Sequence, residues 1–302
     1  MANTPIGDPP APGPKAVMEF DSHDFPWWLV GMIAIIVGMG AAVVVNPNYN
    51  EAFRNIFPWP MFDDVIVDEE VVGSAFVWGR GIMITLLLTI GSFVIATVLG
   101  LLIGLGRIAG LSDADQGNRS VVKSAIRNIS QLYIELIRGI PMIVFIFVVA
   151  QVLAPDFADL INIESRSISP IIRMIAALSL FYAAFIAEVF RAGIQSVPVG
   201  QIEAGRAVGL SEGAIMRKVI LPQAIRNMLP ALGNDLISLM KDTSLASVLA
   251  VREITQMARL YTGSTFRFRE GFFVLVVIYV TLTLSLSLLL RWYEKRIAIP
   301  GR

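Results

Sequence analysis

From Gly81 to Gly106 the chain runs for twenty-six residues without a formal charge. As an α-helix rising about 1.5 Å per residue, such a run covers ~39 Å, more than the ~30 Å hydrocarbon core of a bilayer. In lipid only helices and closed barrels satisfy every backbone polar group. Gly271 to Leu290 repeats the pattern over twenty uncharged residues, and Leu29 to Val45 over seventeen, the short end for a span. The composition agrees, with 55% hydrophobic and 16% charged residues among 302 and a mean hydropathy of +0.69. These features predict an all-α membrane protein, a polytopic bundle of about six transmembrane helices.

What the sequence lacks excludes several function classes. Its formal net charge is +0 with no basic block, so nothing points to nucleic acid as a partner. Cysteine is absent, which removes thiolate nucleophiles and Cys-based metal sites, and the only histidine, His23, sits in a tail among Asp21, Asp24 and Pro26. Asp63, Asp64, Asp68, Glu69 and Glu70 cluster without a histidine and match no calcium loop, so they read as a solvated acidic face and no metal site is predicted. There is no G-x-x-x-x-G-K-[ST] run and no nucleophile with a paired base. No catalytic residue and no cofactor bound by this chain is expected.

In chain order, residues 1–28 are rich in Pro, Gly and small polar residues and read as a disordered tail ending in Trp27 and Trp28, which suit a membrane interface. Residues 29–45 form an N-terminal transmembrane helix, stopped by Asn46, Pro47 and Asn48. A cleaved signal peptide fits poorly, because Glu19, Asp21 and Asp24 outnumber Lys15 before the run and no small-x-small site follows. Residues 46–80 read as an extracytoplasmic acidic loop. In the next span Gly100 and Gly104 form a G-x-x-x-G that admits a close neighbouring helix, from this chain or from another subunit. Residues 107–130, with Arg119, Lys123 and Arg127, read as a cytoplasmic loop.

A third span over 131–153 contains Glu135 and Arg138, three apart on one face and able to pair, and Pro141 should kink it. Structural pairing and substrate contact both remain open for these two residues. A fourth span, Ile171 to Phe190, ends near Glu188 and Arg191 at the same spacing, where a pair can brace the loop that follows. The basic, aromatic stretch Arg291 to Arg296 marks a cytoplasmic end, and alternation then places both termini in the cytoplasm, with a short tail at 297–302. Against this topology, the 252–270 connection should lie outside yet carries Arg252, Arg259, Arg267 and Arg269.

Two stretches interrupt the apolar pattern. Residues 198–222 read as two short helices joined by a tight turn: Pro198 opens the first, Gly209 closes it in a left-handed conformation, Ser211 caps the second and Pro222 ends it. On the second helix Ile215 and Val219 share a face, with Met216 and Ile220 beside them, forming an apolar ridge flanked by Arg217 and Lys218. In the fifth segment, Leu229 to Val251, Asn234, Ser238 and Lys241 fall on one face, Asp235 and Asp242 lie seven apart beside it, and Thr243 and Ser244 follow. Each charge would cost on the order of 3 kcal/mol facing lipid, so this face must meet protein or a watered cavity. Pathway lining, structural ion pairing and a proton relay all remain open.

Glu203, Ala204, Gly209, Val219, Leu221 and Pro222, at these spacings, resemble the EAA loop of ATP-binding-cassette importer permeases, the helix that docks into the ATPase subunit; Gly205 stands where that family usually has alanine. E-x-x-R-G-x-P from Glu135, A-E-V-F-R-A-G from Ala187 and K-D-T-S-L-A-S from Lys241 resemble the polar-amino-acid group of these permeases. The resemblance covers roughly residues 78–296. It implies a five-helix permease domain over 81–296, here preceded by one extra span, in a bacterial inner membrane. It also implies a second permease, identical or homologous, two ATPase subunits that bind ATP and Mg, and an extracytoplasmic solute-binding protein. In that reading Glu203, Ala204, Gly205, Gly209, Leu210, Ser211, Val219, Leu221 and Pro222 couple to the ATPase, and Asn234, Asp235, Ser238, Lys241, Asp242, Thr243 and Ser244 line the amino-acid pathway. An ion-coupled secondary amino-acid transporter is the alternative; it would use Lys241 and Asp242 as a coupling site.

Overall fold

The computed structural model describes residues 27–56, 61–67, 70–77, 80–108, 118–164 and 167–297, so nearly all of the two expected tails, 1–28 and 297–302, lies outside the described residues. Helix α1 (Trp27–Val45) gives way at Asn46, whose Oδ1 accepts the Asn48 N–H at 3.0 Å, and α2 (Pro47–Ile56) departs at 100°. Strands β1 (Met61–Val67) and β2 (Glu70–Val77) form an antiparallel hairpin, with Met61 opposite Val77 and an irregularity between Val65 and Ile66. The described residues of the segment expected as a loop over 46–80 therefore form a helix and a hairpin. β-branched Val65, Ile66, Val67, Val71 and Val72 favour the extended backbone.

Helices α3 (Arg80–Ile108) and α7 (Pro170–Gln195) form the closest pair in the fold. They run parallel: Gly91 faces Ile175, Gly100 faces Ala183 and Ile186, and Gly104 faces Ala187 and Phe190. A Cβ on Gly100 would lie 2.7 Å from Ile186 Cγ2, and one on Gly104 2.8 Å from the Ala187 carbonyl oxygen. The G-x-x-x-G thus serves packing within the chain. Parallel neighbours need a return crossing between them. It is supplied by α4 (Asn118–Gly139), the break at Ile140 and Pro141, α5 (Met142–Val148), a π-helical turn (Val149–Leu153) and α6 (Ala154–Leu160). Residues 107–108 and 118–130 of the loop expected over 107–130 are therefore helix. Lys123 and Arg127, four apart, lie on one face of α4, a spacing that fits an amphipathic helix as well as a basic loop.

After α7 come α8 (Val199–Ala207), α9 (Glu212–Ile215), a π-helical turn (Met216–Ile220), α10 (Leu221–Asp242), a 3₁₀ stretch (Thr243–Leu249), α11 (Ile254–Thr265) and α12 (Phe268–Ile297). The main core gathers Leu88, Ile134, Ile146, Leu178, Ile186 and Leu239, while Val43 and Ile56 join Ile254, Val274 and Ile278 in a second cluster that seats the N-terminal unit on α11 and α12. Two of the arginines that conflict with the expected topology are used internally: Arg259 donates to the Ser247 carbonyl at 3.2 Å, and Arg267 pairs with Glu51 of α2. Among the described residues, Gly81–Ile108, Met142–Leu160, Pro170–Gln195 and Phe268–Glu294 are long and apolar enough to cross a membrane, and the bent α1–α2 pair makes a fifth candidate. Helix α10 is long enough at 22 residues but too polar to pass on apolarity; it lies against α7 and α12.

Candidate functional site

The 198–222 region is built as the sequence suggests at its turn and otherwise at its end. Gly209 takes φ +79°, and the Schellman pair closes on it, with Leu210 N–H donating to Gly205 O at 3.1 Å and Gly209 N–H to Arg206 O at 2.9 Å. The Ser211 hydroxyl oxygen accepts the Ala214 N–H at 3.3 Å, and Arg206 clamps the turn by bonding Glu212 at 2.7 Å and 3.3 Å. That guanidinium holds the Glu212 carboxyl below its ordinary pKa. Pro198 sits just before the first turn of α8 as its cap residue.

Two expectations need correction. Pro222 does not end the second helix. The π-helical turn Met216–Ile220 re-routes the carbonyls a proline would clash with, Pro222 falls in the first turn of α10, and the chain stays helical from Glu212 to Asp242. Nor is the apolar ridge free to insert elsewhere: Ile215 and Ile220 are buried in this chain's own core, with Val219 packed against it. The residues the loop exposes include Glu203, Ala204, Val208, Gly209, Ser211, Met216, Arg217 and Lys218. Gly205 is buried, and a Cβ there would lie 3.1 Å from Ile215 Cγ1, which explains how a residue smaller than alanine fits at that position.

On α10, Tyr182 of α7 donates its hydroxyl to Asp242 Oδ2 at 2.6 Å. Thr243 is fully buried and donates to Met240 O at 2.7 Å, Asp235, Ser238, Asp242 and Ser244 are partly buried, and Asn234 and Lys241 are exposed. The polar face therefore divides, with its acids toward α7 and its lysine away from the chain. Asp235 Oδ2 is buried and finds no hydrogen-bond partner among the described residues. Tyr182 was not picked out from the sequence, although a tyrosine in an otherwise apolar span calls for a polar partner.

At the foot of α7, Glu188 pairs with Arg191, as the three-residue spacing suggests, and also with Arg107 at the end of α3. Arg191 reaches on to Gln195. Arg107, the first charge after the long apolar run, was the missing partner. Glu135 and Arg138 form no ion pair among the described residues; Arg138 lies over the Phe185 ring, 5.7 Å from its centroid. Beside it a cavity of about 400 Å³ opens between α4, α7 and α10, lined by Arg138, Glu188, Asp235, Asn227, Met228 and small residues such as Ala192 and Ala231.

Residues 103–299 match the family described as "Binding-protein-dependent transport system inner membrane component". The chain belongs to that family. Among curated relatives, the permease is 32% identical over 240 residues to the probable amino-acid permease protein YxeN of Bacillus subtilis, covering 78% of this chain and 98% of that protein. It is 34% identical over 220 residues to the glutamine transport system permease protein GlnP of Escherichia coli, covering 73% and 92%. Among solved structures it is similar to an amino acid ABC transporter crystallised with histidines, at a TM-score of 0.61 and 32% identity over 72% of this chain and 92% of that one. The MetNI methionine ABC transporter in an inward-facing form shares the fold, with a TM-score of 0.59 and 22% identity over 73% and 95%. None of these matches supports the ion-coupled alternative.

Proposed function

We propose that this permease moves a polar amino acid inward as half of the membrane part of an ABC importer, with a second permease, two ATPase subunits that bind ATP and Mg, and an extracytoplasmic solute-binding protein. The observation that carries the reading is the continuous helix from the 203–222 loop into the acidic face of α10, which meets Tyr182 at Asp242. The exposed Glu203, Ala204 and Val208, with the Gly209 turn, present the ATPase contact. Asp235, Ser238, Asp242, Thr243 and Ser244 face the pathway; Asn234 and Lys241, exposed on this chain, are available to the second permease. ATP and the loaded binding protein drive the cycle because both bind the outward-facing state more tightly than the inward-facing one. Both termini lie in the cytoplasm.

The test is co-purification of the tagged chain from native membranes, followed by reconstitution in liposomes. ATP-dependent uptake of a radiolabelled amino acid, insensitive to collapse of ion gradients, is expected. Uptake that follows an ion gradient without ATP would overturn the reading.

A further inference from the structure

The cavity between α4, α7 and α10 lies on the loop side of the Tyr182–Asp242 contact, since Asp235 precedes Asp242 by seven residues, ~10 Å along the helix. Its volume of about 400 Å³ sits at the lower end of the ~300–1,000 Å³ usual for small-molecule pockets. Three ionisable side chains line it. Glu188 is occupied by Arg107 and Arg191. That leaves the Arg138 guanidinium, which lies within electrostatic reach of Glu188 but donates no hydrogen bond among the described residues and is oriented by Phe185, and Asp235, whose buried Oδ2 has no hydrogen-bond partner among them. A cation and an anion that both keep unused hydrogen-bonding capacity in a single small cavity match the two main-chain charges of an α-amino acid. A buried carboxylate oxygen without a partner is costly, and an ammonium group is the donor that relieves it best. Ala192, Gly193 and Ala231 leave room for the side chain.

We infer that this cavity is a release station for the transported amino acid, in which Arg138 takes the α-carboxylate and Asp235 the α-ammonium before the substrate leaves on the loop side. The inference rests on the amino-acid reading above. It assigns Arg138 to substrate contact, one of the two roles its position near a helix end left open, and separates Asp235 from Asp242, which already has a phenol donor.

The test uses the co-purified complex in proteoliposomes. A mixture of the twenty radiolabelled amino acids identifies the one carried, and that amino acid is then compared with its decarboxylated amine. Arg138→Gln and Asp235→Asn are each expected to lower the maximal uptake rate roughly 10–150-fold, the value of one charge-assisted hydrogen bond. The loaded-binding-protein concentration for half-maximal rate should stay unchanged, as should binding-protein-stimulated ATP hydrolysis. Arg138→Gln should also erase the preference for the amino acid over its amine, and Arg138→Lys should restore part of it. Wild-type uptake and preference in both variants would overturn the inference and leave the amino-acid reading standing. Loss of stimulated ATP hydrolysis along with uptake would make the two residues structural and overturn it as well. A wild-type complex that carries none of the twenty would take down both readings.

Discussion

Gly209 isolates a pure backbone effect. Its φ of +79° lies where L-residues are strained, yet among the described residues no atom beyond its chain neighbours stands within 4 Å of where a Cβ would be, so a substitution there meets strain and no clash. Placing an L-residue in the left-handed region costs roughly 1–2 kcal/mol, and more for a β-branched side chain. At about 1.4 kcal/mol per tenfold, Gly209→Val should lower the population of the closed turn by roughly 5–30-fold. The amides of residues 209 and 210, which donate to Arg206 and Gly205, should lose hydrogen-exchange protection by the same factor, and ATP-driven uptake should fall with them. Gly209→Asn is the control, because asparagine visits this region at little cost and fills the same open space. If the Gly209→Val chain kept the protection and uptake of the unsubstituted chain, the argument would be refuted. Equal damage in both variants would refute it too, pointing to side-chain bulk at a docking surface and away from backbone strain.

Two further outcomes follow from the packing and the pathway. Gly104→Ala should destabilise the α3–α7 pair by about 1–3 kcal/mol, because the new methyl would press on a backbone carbonyl that cannot swing away. Gly91→Ala, whose Cβ would sit an ordinary 3.7 Å from Ile175 Cδ1, should be silent, and detergent-solubilised melting curves that fail to separate the two would refute the close approach. Tyr182→Phe removes the donor to Asp242, a charged hydrogen bond worth about 1.5–3 kcal/mol, and should cut uptake while stimulated ATP hydrolysis persists; undiminished uptake would remove Tyr182 from the pathway.

The features legible in the sequence were those set by local chemistry. Uncharged runs gave the spans, Gly209 and Ser211 gave the turn and cap, and the spacing of Glu188 and Arg191 gave their pair. What escaped was decided at a distance or by a compensating backbone irregularity. Pro222 reads as a stop unless the π-helical turn before it is known. Ile215 and Ile220 read as an insertion ridge because periodicity shows a face without showing its partner. Glu135 and Arg138 have the right spacing to pair, but α4 ends beside α7, and Phe185 and the cavity compete for the arginine. At α10 the acids were visible in the sequence, while the phenol on Asp242 lay sixty residues away.

The unbroken helical path from Glu212 to Asp242 crosses α7 at its tightest point, where Gly193 has no Cβ and Met228 fills the gap. That crossing makes the helix a balanced lever. Met228 is sixteen positions, ~24 Å, along from Glu212, and Asp242 is fourteen, ~21 Å, beyond Met228. If the helix turns as a rigid body at that crossing, a sideways displacement of the loop reaches Asp242 at nearly full amplitude and in the opposite direction, against the Tyr182 contact. A side chain at Gly193 would collide with Met228 and force the two helices to shift at this fulcrum.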